Sequence, residues 1–361
     1  HPIGGNGMAF VAGCKNLGID VRIGPVAISN GRFGNRPHCI YRGFCIQGCK
    51  VNAKASPLIT HIPDALARGA EIRADSMVRR IDIDANGRAR GVTYIHDGVE
   101  HRQLARVVAI AGYSIETPRL LLNSASRRFP HGLCNDFDQV GRYVMVQGAP
   151  QTAGRYDEEV RAYKAPPPEA SSETFYETDP KKDYRRGFSL QCVSPMPIVF
   201  AEHVGAEGHW GATLREYMRD FVHWATFGAL CEFLPQDRNR VTLDDEVDRH
   251  GIRVANFSYS LCDNDRALMK AAAAVMADMH GSAGAAEAIN IDRYAHLVGG
   301  CRMAEDPARG VVDADLRTFA VPNLYITDGS VLPTQGSANP ALTIMALAAR
   351  AADHLASGNR G

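Results

Sequence analysis

Two segments near the C-terminus carry side chains that can do acid–base and hydrogen-bonding chemistry. They are His296-Leu-Val-Gly-Gly-Cys-Arg-Met303 and Asn339-Pro340-Ala341-Leu-Thr343-Ile-Met345. Imidazole titrates close to neutral pH, so His296 can take a hydroxyl proton. A carboxamide such as Asn339 can hold the same oxygen but cannot remove its proton. A second group lies near the other end, where Cys39, Cys45 and Cys49 follow the spacing Cys-x5-Cys-x3-Cys. Thiolates this close, separated by glycines, can wrap a compact metal centre. A disulfide would leave the third cysteine unpaired, and three thiolates without a fourth ligand make poor structural zinc. Iron–sulfur clusters normally take four cysteines, so three point to a [3Fe–4S] cluster lacking one iron. The alternative is three ordinary buried thiols in a loop. Cys14, Cys134, Cys192, Cys231, Cys262 and Cys301 are scattered and read as core residues.

The elements around these groups are legible. Asn323-Leu-Tyr-Ile-Thr-Asp328-Gly329-Ser330 reads as a strand ending in a turn. A helix then begins near Pro340, which suits a first turn, and runs through an Ala/Leu-rich stretch to about His354. Its N-terminus beside a strand end is a site for anionic or electron-rich groups. Arg106 to Ala111 is a short apolar run expected of a buried parallel strand. It leads through Gly112 into a helix expected to start at Thr117-Pro118. Residues 71–78, 79–84 and 89–95 are expected to form a β-meander, with a turn at Asn86-Gly87. Residues 8–19, 60–68 and 263–280 read as helices, and residues 188–193, 227–233, 240–243 and 252–258 as mostly antiparallel strands. The polar, proline-rich stretch 151–187 reads as a loop or lid.

Composition sets outer limits. A chain of 361 residues can bury a substantial core and hold two domains. Lys+Arg and Asp+Glu balance at 40 each, so no global field favours nucleic acid or an anionic membrane. No apolar run approaches a membrane span, since Ala271–Met279 is short and bounded by Lys270 and His280. Nine cysteines in this length are too dilute for a disulfide scaffold. The opening His1-Pro2-Ile3-Gly4-Gly5 shows no secretory signal.

Taken in order, His-x-x-Gly-x-Cys-Arg-Met, strand-Asp-Gly-Ser and Asn-Pro-x-x-Thr-Ile resemble the C-terminal signature of the glucose–methanol–choline (GMC) flavoprotein oxidoreductases. Ala111 to Leu122 resembles the family's second signature, and the cysteine spacing is similar to that of bacterial flavin-dependent glucose dehydrogenases of the family. The resemblance implies an α/β fold, with an FAD-binding parallel-sheet domain and an inserted, mostly antiparallel α+β substrate domain. The expected limits are 1–150 and 285–361 for the FAD-binding parts and 151–284 for the substrate domain. It implies FAD, with Val78 on the adenine side, Gly112, Asp328 and Gly329 along the pyrophosphate and ribityl chain, and Pro340 and Ala341 near the flavin ring. His296 becomes the base and Asn339 its partner; Asn at that position is usual in the bacterial sugar and gluconate dehydrogenase branch. No strand–Gly-x-Gly-x-x-Gly–helix is present, so the expectation is a partial chain whose nucleotide-binding segment lies outside it. The activity implied is oxidation of a sugar, sugar acid or polyol, with electrons leaving through the iron–sulfur cluster. Partners implied are a small export subunit and a cytochrome c acceptor on the periplasmic side of a bacterial membrane, with no nucleic acid. The alternatives are a GMC oxidase that uses oxygen without a cluster, or an inactive remnant; intact His296 and Asn339 argue against the latter.

Overall fold

The computed structural model describes residues 1–358 and comprises two compact units. The first gathers His1–Ile72, Gly148–Cys231 and Asp265–Tyr294; the second gathers Arg73–Gln147, Glu232–Asn264 and Ala295–Gly361. Residues 1–72, with the cysteine segment, therefore group by contact with 148–231 and not with 73–147. Grouping by contact differs from grouping by role, and the role-based limits set out above remain a proposal.

The first unit is built on an antiparallel sheet. Its strands run in the spatial order 22–23, 170–172, 188–193, 224–231, 151–155, 287–291. The central strand Trp224–Cys231 is buried along its whole length. Helices Gly5–Asn16 and Asp263–Ser282 supply cover, with the Phe10 ring edge-on to Phe227 and the His280 ring stacked on it at 3.7 Å. A Cβ on Gly154 would lie 2.3 Å from His280 Nδ1, so only glycine admits that ring against the sheet. His280 is fully buried, its Nδ1 meeting the Tyr156 hydroxyl and its Nε2 the Thr152 carbonyl. Burial holds it neutral, with its pKa down at about 4.

This sheet corrects the reading of 151–187 as a loop or lid. Gln151–Arg155 and Ala170–Ser172 are sheet strands, and Ala153, Ala162, Ala165 and Glu169 are buried. Gln-Thr-Ala-Gly-Arg has little β-propensity of its own; neighbours on both sides decide its conformation.

In the second unit, Val108–Ile110 pairs in parallel with Leu324–Ile326, as expected of the parallel-sheet domain. The Asn323 side chain ties this pair to the meander, accepting from Ala89 N–H and donating to the Ala89 and Arg106 carbonyls. The meander strands are Ser76–Ile83, Ala89–His96 and Val99–Leu104, shifted from the expected ones. A bulge after Val78 lets one strand replace the two expected there. The third strand is exposed along its whole length, so it shows no apolar alternation to read. Arg240–Val247 and Arg253–Ser258 form a separate antiparallel hairpin. No helix among the described residues is long and apolar enough to cross a membrane.

Candidate active site

The second unit brings His296 and Asn339 together. Asn339 Nδ2 lies 3.1 Å from His296 Nε2, and His296 Nδ1 lies 2.5 Å from the Gln147 side-chain oxygen. Gln335 donates its amide to the His296 carbonyl. His296 itself has φ +48, a left-handed conformation uncommon outside glycine, and Gly299 and Gly300 follow at φ +78 and +103. A Cβ on Gly299 would fall 2.2 Å from the Tyr143 carbonyl, so the turn after the histidine is reserved for glycine. The imidazole is half-buried, and burial lowers its pKa below the ordinary histidine range. The site therefore holds a neutral base beside a carboxamide donor.

Asp328 joins the strand end to the neighbouring turn. One carboxylate oxygen accepts from Tyr113 N–H at 3.0 Å and from the Thr117 hydroxyl at 2.5 Å; the other accepts from Ser330 N–H at 2.8 Å. This explains why the helix begins at Tyr113, ahead of the expected Thr117-Pro118 start. Asp328 caps it, and Pro118 sits inside the helix. Gly112 donates to Thr117 Oγ1 in the same turn, and Gly329 packs under Ile344. Val78 lies opposite Tyr94 in the meander, half-buried like an ordinary strand residue. Asp328→Ala removes one acceptor from three donors in the fold. It should destabilise the protein by about 2–3 kcal/mol and loosen flavin retention, read by denaturation and by bound FAD. Wild-type stability in that variant would show that Asp328 does not bind these turns together.

Pro340 precedes the helix Ala341–Ala356, as expected, and that helix has no side-chain cap and no acidic residue in its first turn. Its opening residues are exposed, with Leu342 at 79%. Orphan N–H groups at such an end attract an electron-rich group. The Gln335 side-chain oxygen is buried without a hydrogen-bond partner. An uncapped helix start, exposed apolar residues and a buried amide oxygen without a partner fit the edge of a flavin ring at Pro340 and Ala341.

The first unit carries the cysteines. Cys39, Cys45 and Cys49 all line one cavity of about 460 Å³ that Ile40, Tyr41 and Phe44 also border. Cys39 accepts from Tyr41 N–H. Burial would raise the Cys49 thiol, but backbone N–H groups of Lys54, Val51, Ala53 and Asn52 outweigh it and hold it below its ordinary value. Burial, then the neighbouring Cys39 and Cys49, push Cys45 up. Among the described residues no three His, Cys, Asp or Glu groups are gathered to hold a metal ion. The remaining cysteines are buried, apart from the half-buried Cys262.

Sequence reasoning missed Gln147 and Gln335. Neither belongs to a motif, and only their place against His296 marks them.

Comparison with known proteins yields matches across both halves. Models described as GMC oxidoreductase match residues 2–145 and 235–348. The 2-methyl-1,2-propanediol dehydrogenase of Mycolicibacterium austroafricanum is 33% identical over 328 residues, covering 86% of this chain and 58% of that protein. The fructose dehydrogenase large subunit of Gluconobacter japonicus is 28% identical over 361 residues, covering 98% of this chain and 66% of that protein. The chain thus spans less than two thirds of either relative. An Aspergillus oryzae RIB40 formate oxidase variant, solved in work on FAD modification, shares the fold. Its TM-score is 0.65 at 17% identity, over 98% of this chain and 70% of that one.

Proposed function

Because the chain belongs to the GMC oxidoreductase family, we propose that the enzyme oxidises a CH–OH group of a sugar, sugar acid or polyol to a carbonyl. The observation that carries this is the neutral His296 imidazole set beside Asn339 in the unit that holds the uncapped helix start. Asn339 orients the substrate hydroxyl, and His296 takes its proton at Nε2. Bound FAD supplies the hydride acceptor. Pro340, Ala341, Gly112, Gly329 and, on the adenine side, Val78 are the residues proposed to hold it, with Asp328 fixing the turn between them. Two relatives named for a diol and for fructose support an alcohol or sugar substrate.

A [3Fe–4S] cluster on Cys39, Cys45 and Cys49 is part of the proposal. The shared cavity and the backbone N–H groups aimed at Cys49 support it. The thiolates of a cuboidal cluster bind different irons, so they line a space and need not converge on one point. From Val21 to Pro63 the chain has Arg22, Arg32, Arg36, Arg42, Lys50 and Lys54 and no Asp or Glu. Such a basic stretch suits an acidic electron-accepting partner such as a cytochrome c subunit. The relative named as a large subunit supports an assembly with further subunits; a small export subunit and a periplasmic location belong to the proposal alone.

The test is to purify the full-length protein anaerobically and assay aldoses, aldonates and polyols with an artificial electron acceptor. About three irons per chain are expected, with the paramagnetic signal of an oxidised three-iron cluster. Cys45→Ser should block electron delivery to the partner far more than substrate reduction of the flavin. Zinc, or no metal after reconstitution, together with rapid peroxide production, would replace this reading with an oxygen-using oxidase.

A further inference from the structure

We propose that Gln147 is a positioning residue that sets the tautomer of His296, keeping the proton on Nδ1 and the basic lone pair on Nε2. The inference rests on His296 being the base in the function proposed above.

Gln147 is completely buried on the strand Met145–Gly148. Its side-chain nitrogen donates to the Gly336 carbonyl at 2.8 Å and reaches the Ala338 carbonyl at 3.4 Å. Carbonyl oxygens only accept, so the nitrogen must face them and the amide oxygen must face the imidazole. That oxygen lies 2.5 Å from His296 Nδ1 and can only accept, so Nδ1 carries the proton. A neutral imidazole has one N–H, which leaves Nε2 with its lone pair. Asn339 Nδ2, a donor, sits 3.1 Å from Nε2 and agrees with this assignment. Gln147 thus requires this tautomer, and Asn339 is consistent with it.

The choice of a neutral amide matters as much as its position. A carboxylate against Nδ1 would favour imidazolium and raise the pKa. The groups facing His296 are the amides of Gln147, Asn339 and Gln335. Burial is the sole cause of its lowered pKa, with no charged group contributing. The Glu232 carboxylate accepts from the Thr334 hydroxyl. Gln147 also ties the strand to residues 336 and 338, next to Asn339, so base and partner are referenced to one another.

Two variants of the full-length, FAD-loaded enzyme test this. Gln147→Met and Gln147→Glu both remove the donor to the two carbonyls, so they share the loss of those hydrogen bonds. They differ at Nδ1, where methionine offers no acceptor and glutamate offers a charged one. Gln147→Met should slow flavin reduction roughly 10–10²-fold at saturating substrate, with apparent substrate affinity little changed. Gln147→Glu should move the acid limb of that rate upward by about one pH unit or more relative to Gln147→Met. Nitrogen-15 spectra of histidine-labelled protein give a readout apart from turnover. They should show the Nδ1–H tautomer of His296 in the wild type and a mixture in Gln147→Met.

Coincident acid limbs in the two variants, or an Nε2–H tautomer in the wild type, would overturn the proposal. A His296→Ala enzyme that turns over at wild-type speed would remove the base itself and with it the catalytic half of the proposal. The spectra still judge whether Gln147 sets the tautomer.

Discussion

Replacing His296 by alanine in the full-length, FAD-loaded enzyme should slow reduction of the flavin by roughly 10²–10⁴-fold while leaving FAD bound. His296 is the only imidazole the structure sets against Asn339, with Nε2 at 3.1 Å from that amide among the described residues. Its own pKa is lowered by burial. The neutral, proton-accepting form therefore persists below the ordinary histidine range, and the wild-type rate should fall only as pH drops through that lowered value. The variant should lose this acid limb. Asn339→Ala removes a hydrogen bond to a developing charge, worth about 1.5–3 kcal/mol, so it should cost on the order of 10–10²-fold. Stopped-flow reduction across pH measures both. A His296→Ala enzyme with wild-type speed and an unchanged acid limb would place the base elsewhere.

Arg119→Leu should destabilise the protein by roughly 2–4 kcal/mol, because it removes a buried guanidinium and leaves the Ile252 and Arg253 carbonyls and two partly exposed carboxylates without their donor. The Arg119 side chain is 9% exposed. It donates to the Arg253 carbonyl at 2.8 Å, the Ile252 carbonyl at 3.2 Å, Asp248 at 2.6 Å and Glu116 at 3.0 Å. The bonds to Asp248, Ile252 and Arg253 fasten the helix Tyr113–Asn123 to the hairpin of strands 240–247 and 253–258, while Glu116 braces the guanidinium from the helix itself. Burial alone would lower the Arg119 pKa, but Asp248 and Glu116 outweigh it and raise it. Burial likewise would raise the Asp248 carboxyl, but Arg119 with the Ile252 and His250 N–H groups holds it below the usual range. A carboxyl with a depressed folded pKa contributes stability above its unfolded pKa, near 4, and loses it as pH falls through the folded value. Wild-type stability should therefore decline below about pH 4 partly through this pair, and Arg119→Leu should lose that part. Arg119→Lys keeps the charge without the planar fork and should fall between the two. Denaturant unfolding of the holoprotein decides it; a loss under about 1 kcal/mol would mean the network is replaceable by packing.

The parts of this protein that the sequence alone determined are those whose signals lie among near neighbours. Pro340 and the alanine-rich run that follows specify the helix Ala341–Ala356 with little help from elsewhere. The apolar run around Val108–Ile110 and the strand Leu324–Ile326 declare themselves in the same way. His296 and Asn339 stood out because each sits in a run of residues that resembles a GMC signature, and the fold brings the two within hydrogen-bonding distance. Tertiary structure decided the rest. Gln151–Arg155 is a strand because its neighbours on both sides make it one, and Tyr113 opens its helix because Asp328 reaches it from 215 residues away. Gln147 is chemically silent in the sequence. Its amide gains a direction only where two distant carbonyls take its nitrogen and an imidazole 149 residues away meets its oxygen. Backbone preference is set by adjacent residues, whereas the orientation of a buried polar group is set by whichever partners the fold brings within 3 Å or so.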